Sequence, residues 1–194
     1  MSIIKYLLER NYSIYHYQKG ECVYEAGAIP KYVYFIKSGR ISMVTVNAEG
    51  REFIQGIFKS GQYFGEPALL LQKRYLAHTL ADQDTEIIVV NREQFLELLE
   101  EDRAFSMDLI HTLSNRLFYK SMMLEELANE QAAHRVATLI DYLLQDLQSG
   151  EVLRLTRQQL ADMSGLRVET VIRTIRQLET EKRFRLLRGK IVKI

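Results

Sequence analysis

The chain predicts an α+β protein in three segments: an N-terminal antiparallel β-roll of jelly-roll type, a long central dimerisation helix, and a C-terminal winged helix-turn-helix. Three observations carry this expectation. Between Tyr12 and Asn91 apolar residues recur with a period near two, interrupted by Gly20, Gly27, Gly39, Gly50, Gly56, Gly61 and Gly65. From Asn91 to about Gln148 the period becomes helical, and that stretch holds neither proline nor glycine. Beyond residue 150, two short helical patterns flank Gly165 and a hairpin pattern follows. The corresponding ranges are 1–101, 102–131 and 132–194.

Composition supports a folded globular chain. Of 194 residues, 47% are apolar and 26% charged, and only 2 are proline, which excludes disordered and collagen-like classes. The single cysteine, Cys22, cannot close an intramolecular disulfide or hold a four-thiolate cluster. With the four scattered histidines it gives no metal-ligand spacing, so no metal site is expected. No stretch approaches the roughly 18 apolar residues of a membrane span, and a cytoplasmic location without membrane contact is expected.

In the first segment the candidate strands are Tyr32–Lys37, Ile41–Val46, Glu52–Phe58 and Glu86–Val90, with turns at Ala26-Gly27, Ser38-Gly39 and Glu49-Gly50. Strands this short and evenly spaced suit a closed or rolled antiparallel sheet. In the second segment Ile110, Leu113, Leu117, Leu124 and Leu127 follow four-three spacing, broken at Lys120. So narrow a seam fits a contact between two copies of the chain, a homodimer, better than the broader face of a helix lying on its own sheet. A further helix, about Ala133 to Leu147, carries Val136, Leu139, Ile140, Leu143, Leu144 and Leu147.

The third segment is the most informative. Thr156 with Gln159 makes a capping box that starts a helix near Arg157; Leu160 and Met163 are its apolar face, and Gly165 stops it. A second helix, about Val168 to Glu181, turns Val171, Ile172, Ile175 and Leu178 inward, and a hairpin turns at Arg188-Gly189. Charge separates this segment from the rest. Residues 151–194 hold 11 Lys/Arg against 5 Asp/Glu, and residues 1–150 hold 15 against 20, so the halves carry +6 and −5. A basic end on an acidic body is the footprint of a nucleic-acid reader. If the second helix enters a major groove, Val168, Glu169 and Arg173 reach base edges. The i, i+4 pair Glu169 and Arg173 shares one face, with Arg173 suited to guanine O6 and N7 and Glu169 to cytosine N4. Arg157, Thr170, Arg176, Arg188 and Lys190, with Lys182, Arg183 and Arg185, would meet phosphates in double-stranded DNA.

These residues together resemble a known family. The phrase Phe64-Gly65-Glu66-Pro67-Ala68-Leu69-Leu70 resembles the phosphate-binding cassette of cyclic-nucleotide-binding rolls. Gly-Leu-Arg-Val-Glu-Thr-Val-Ile-Arg, residues 165–173, is similar to the recognition helix of bacterial Crp/Fnr transcription regulators, in its Fnr branch. The resemblance covers essentially the whole chain. It implies a homodimer on a palindromic operator whose half-site is closer to TTGAT than to TGTGA, with RNA polymerase as a further partner. It also implies an effector contacting Gly65, Glu66, Arg74, Leu76, Ala77, Lys120 and Ser121. Where cyclic-AMP-binding relatives place an arginine and a small hydroxyl residue, this chain has Leu76 and Ala77; where they present a hydroxyl pair on the dimer helix, it has Lys120 and Ser121. The implied effector is therefore an unidentified small molecule other than cyclic AMP, or none, and no cofactor is assigned. Two other readings stay open. One is a ligand-binding or protein-interaction module without operator-specific DNA binding. The other, an enzyme, lacks support: Glu66 has no evident acid-base partner, and no glycine-rich phosphate loop precedes a helix, so no catalytic residue is expected.

Overall fold

The computed structural model describes residues 3–128 and 131–194. It divides into two compact units, Met1–His111 and Thr112–Ile194.

The first unit opens with α1 (Ile3–Glu9) and continues into two four-stranded antiparallel sheets. One has the order β1 (Ile14–Tyr17), β8 (Thr85–Asn91), β3 (Tyr32–Ser38), β6 (Tyr63–Phe64); the other is β2 (Cys22–Tyr24), β7 (His78–Ala81), β4 (Arg40–Val46), β5 (Glu52–Lys59). The chain crosses between sheets at Gly39, whose φ is 99°; a Cβ there would lie 2.2 Å from Thr85 Oγ1, so only glycine makes this corner. The Asn47–Arg51 turn closes the β4–β5 hairpin, with Asn47 Oδ1 accepting from the amides of Glu49 and Arg51. Within that hairpin Met43 faces Gly56 and Val44 faces Ile54, so the ladder bulges at Gln55, where a strand glycine permits it.

β3 is buried on both faces. Tyr34 and Ile36 join Tyr24, Ile41, Phe58, Phe64, Tyr75, Ala81 and Ile87 between the sheets. Val33 and Phe35, of opposite pleat, are also fully buried. Phe35 lies 6.0 Å from Phe105, whose ring also meets Tyr63 and Phe95.

The helical run expected from residue 92 onward is three helices: α3 (Arg92–Glu101), α4 (Arg103–Ala128) and α5 (Ala132–Gln145). Asn91 and Gln94 form a capping box at the start of α3. Asp102, extended, interrupts the run, and its carboxylate accepts from the Phe105 amide at 3.0 Å. The two-unit division falls inside α4 rather than at residue 101, because Phe105 and Leu109 of its first turns belong to the core of the first unit. The expected 102–131 range includes residues 129 and 130, which lie outside the described residues.

In the second unit α5 presents Val136, Ala137, Leu139, Ile140 and Leu144 to α6 (Arg157–Ser164) and α7 (Val168–Thr180). A hairpin, β9 (Arg185–Leu187) and β10 (Lys190–Val192), closes the fold, with Phe184 and Ile191 buried beneath it. The short strands β1, β2, β6 and β7 and the helices α1 and α2 (Glu66–Leu71) extend the sequence expectation.

Candidate nucleic-acid interface

The helix-turn-helix is assembled locally. Thr156 Oγ1 accepts from the Gln159 amide, and Gln159 Oε1 accepts from the Thr156 amide, both at 3.0 Å. Gly165, with φ 66°, takes the left-handed turn that ends α6 and lets the Leu166 amide reach the Ala161 carbonyl. α7 follows, capped at Arg167 without a side-chain hydrogen bond. It buries Val171, Thr174, Ile175 and Leu178 and leaves Glu169, Arg173 and Arg176 exposed, with Val168 and Thr170 half-buried. Glu169 in the first turn is favoured by the positive end of the helix.

The wing is tied to the end of α7, the Leu186 amide donating to Glu179 Oε1 at 2.8 Å. Arg188, with φ 48°, and Gly189 make its tip, and Arg185, Arg188 and Lys190 are exposed. Arg157 acts within the fold: its guanidinium donates to the Gly189 carbonyl at 2.8 Å, tying the start of α6 to the wing, and burial lowers its pKa. Lys182 sits just beyond α7 with φ 60°, where its amide bonds the Glu179 carbonyl and the Arg183 amide bonds that of Leu178. This is a glycine-type helix stop occupied by lysine. Arg183 pairs with Asp141, and Phe184 turns into the core.

The roll interior is a separate arrangement. Gly65, with φ 93°, starts α2, and a Cβ there would press on the Tyr34 ring at 3.0 Å and the Tyr32 carbonyl at 3.2 Å. Glu66 is wholly buried. Tyr75 stacks on Tyr24 with ring centroids 3.6 Å apart, and Tyr34 stacks on Phe64 at 5.2 Å. Burial pushes the Tyr75 phenol up to about 12 and raises that of Tyr34 as well. From Tyr75 to Ala81 burial alternates, so Tyr75, Ala77, Thr79 and Ala81 face in. Leu76, 85% exposed, faces away from Gly65, Glu66 and Ala77 and is not brought together with them. Arg74 is exposed and donates to the Gly27 carbonyl at 2.7 Å, fastening two loops of the roll together.

Two domain families match the chain: the cyclic nucleotide-binding domain over residues 14–102, and the Crp-like helix-turn-helix domain over residues 134–194. The cyclic AMP receptor protein of Thermus thermophilus is 29% identical over 176 residues, spanning 90% of this chain and 81% of that one. The chain belongs to the Crp/Fnr family of transcription regulators.

Other Crp/Fnr relatives carry different names. The global nitrogen regulator of a Nostoc species is 25% identical, over 90% of this chain and 82% of its own. The solved structure of a CooA mutant from Carboxydothermus hydrogenoformans shares the fold, with a TM-score of 0.80 at 22% identity, over 97% of this chain and 85% of that one. The helix-turn-helix of this family binds DNA, so the segment built from α6, α7 and the wing is the DNA-binding part of a transcription regulator. Among the described residues no helix is long and apolar enough to cross a membrane, and no cluster of His, Cys, Asp or Glu could hold a metal ion.

Crp/Fnr regulators are dimers, and α4 presents an apolar stripe suited to such a contact. Ile110, Leu117, Leu124 and Leu127 are exposed, at 56, 68, 69 and 48%, while Leu113 is half-buried. Phe118, 73% exposed, was not among the expected seam residues; its neighbour Tyr119 instead stacks on Tyr142 of α5 at 4.3 Å. Lys120 and Ser121 are exposed on α4. Desolvation, with a smaller effect from Arg116, lowers the pKa of Lys120.

Proposed function

We propose that this regulator works as a homodimer on an inverted-repeat operator, read by Glu169 and Arg173, with Val168 against the bases. The observation that carries this is the division of α7. One face is locked into the core by Val171, Thr174, Ile175 and Leu178, and the opposite face presents a carboxylate and a guanidinium one turn apart. A bidentate arginine contact to guanine is worth about 1 to 3 kcal/mol of base discrimination. The α4 seam would hold two copies so that their α7 helices enter successive major grooves, roughly 34 Å apart. Thr170, Arg176, Arg188 and Lys190 are assigned to phosphates, Arg157 acting partly through the wing tip it holds. RNA polymerase is the proposed further partner of the operator complex.

For the roll we propose an effector other than cyclic AMP, or none. A cyclic phosphate needs a cation, yet Leu76 and Ala77 carry no charge and Arg74 is engaged at a loop carbonyl. Selection from random duplex DNA tests the operator: an inverted repeat with a guanine in each half-site is expected. Arg173→Ala should then lose about 10- to 150-fold of affinity for that site and tolerate other bases at the guanine. Equal retention of the selected and scrambled sites by the parent protein would favour the interaction-module reading.

A further inference from the structure

We infer that Glu126 and Arg135 are positioning residues that fix how far apart the two reading heads can bind; this rests on the operator reading above. Glu126 lies near the end of α4 among exposed neighbours, Leu124, Glu125 and Leu127, yet is itself only 6% exposed. Both of its carboxylate oxygens are engaged by the first turns of α5. Oε2 lies 2.8 Å from His134 Nδ1, and Oε1 accepts from the Thr138 hydroxyl at 2.9 Å. Its main-chain carbonyl accepts from Arg135 Nε at 3.2 Å.

Arg135 carries the connection onward. Its Nη1 donates at 3.3 Å to the carbonyl of Ser164, the last residue of α6. Ser164 is wholly buried, and its hydroxyl donates back to the carbonyls of Leu160 and Ala161. Two side chains thus join the end of the seam helix to the end of the first helix of the helix-turn-helix, directly before the Gly165 turn that aims α7.

The placement also suits the helix ends. α5 begins at Gln131 without a side-chain cap, so the buried Glu126 carboxylate supplies negative charge to its first turns. The Ser164 carbonyl is among those left over at the end of α6, and a guanidinium is a fitting donor for it. Apolar packing alone would leave α5 free to pivot on α4. The bonds made by the Glu126 carboxylate to His134 and Thr138, and by the Arg135 guanidinium to the carbonyls of Glu126 and Ser164, are directional, and directional bonds select one angle. That angle matters only when two heads must engage at once. In a dimer held at the seam, the joint between α4 and α5 determines which half-site separations both heads can reach.

A residue that merely stabilises the fold weakens binding to every operator equally, whereas a positioning residue changes the preference between spacings. The full-length dimer is therefore titrated with operators carrying the same selected half-sites and spacers shortened or lengthened by one and two base pairs. Parent, Glu126→Ala, Glu126→Gln and Arg135→Met proteins are compared, with dimerisation and thermal unfolding measured on each. The parent should strongly prefer one spacing. Glu126→Ala and Arg135→Met should reduce that preference roughly 3- to 30-fold, while Glu126→Gln, which keeps an acceptor for Thr138, should retain most of it. Should Glu126→Ala fail to fold, Arg135→Met decides the matter, since it removes the relay and leaves the carboxylate with His134 and Thr138. Uniformly weaker binding with an unchanged spacing ratio in Arg135→Met overturns the inference. A parent protein that ignores spacing removes the operator reading itself, and this one with it, and that failure shows before any variant is made.

Discussion

The roll and the reading head are built on opposite plans. In the roll the chemistry points inward: strands distant in sequence deliver Tyr24, Tyr34, Phe58, Phe64 and Tyr75 to one aromatic interior. In the reading head the chemistry points outward. Its core is almost entirely aliphatic, Phe184 being its fully buried aromatic, and Arg173, Arg176, Arg188 and Lys190 stand on its surface. A surface that must attract a polyanion can be assembled from neighbouring residues, whereas an interior is specified only by how sheets register. Substitutions in the head should therefore change recognition and leave folding nearly intact, and substitutions in the roll should do the reverse.

The seam gives the largest expected effect, because it multiplies whatever one head can do. Leu117→Glu combined with Leu124→Glu places four like charges in the dimer contact. Sedimentation should then show single chains, and operator affinity should fall by about 10²- to 10⁴-fold through loss of the second attachment. Circular dichroism of the variant should remain that of the parent, since both leucines are exposed in the single chain. A dimeric variant with full affinity would mean that the copies meet elsewhere.

Next comes the roll interior. Tyr75→Ala removes a ring stacked at 3.6 Å on Tyr24 and should lower unfolding free energy by about 3 to 5 kcal/mol in chemical denaturation followed by tyrosine fluorescence. Tyr75→Phe makes the smaller, sharper test. With the phenol raised to about 12 in the fold, against an ordinary value near 10, the neutral form is the one the fold prefers. Its stabilisation is complete below about pH 10 and disappears as pH rises through 12. The parent should therefore lose on the order of 1 to 2 kcal/mol more than Tyr75→Phe across that window. Identical alkaline profiles would mean that the phenol ionises in place without penalty.

This inward–outward contrast also governs what the sequence discloses. The helix-turn-helix is legible because its signals are local: the Thr156–Gln159 box, Gly165, the apolar period of α7 and the run of basic residues all lie within one short segment. The start of α4, expected at residue 102, rests on the family resemblance rather than on periodicity, because a helical period continues on both sides of the single capping residue Asp102. Leu76 shows why the roll is harder. Its neighbours Tyr75 and Ala77 face in, and the parity of β7, which follows directly, is set by pairing with β4, which short-range pattern does not reveal. Glu126 and Arg135 are harder still. As sequence they are two more charges on amphipathic helices, and only the packing of α4, α5 and α6 shows that each is engaged at both ends.

The smallest expected effect separates the two kinds of contact within the head. Lys190 is exposed on the wing, and its ammonium is suited to a phosphate rather than to a base edge. A phosphate contact releases condensed counterions, so its loss is read in the salt dependence of binding. Lys190→Ala should shift the slope of log affinity against log salt by about one unit, with the same few-fold weakening on selected and scrambled duplexes. Arg173→Ala should change the slope by no more than that while discriminating between the duplexes. If Lys190→Ala instead altered base preference, the wing would have to reach a groove edge. The division of labour between α7 as reader and the hairpin as clamp would then have to be redrawn.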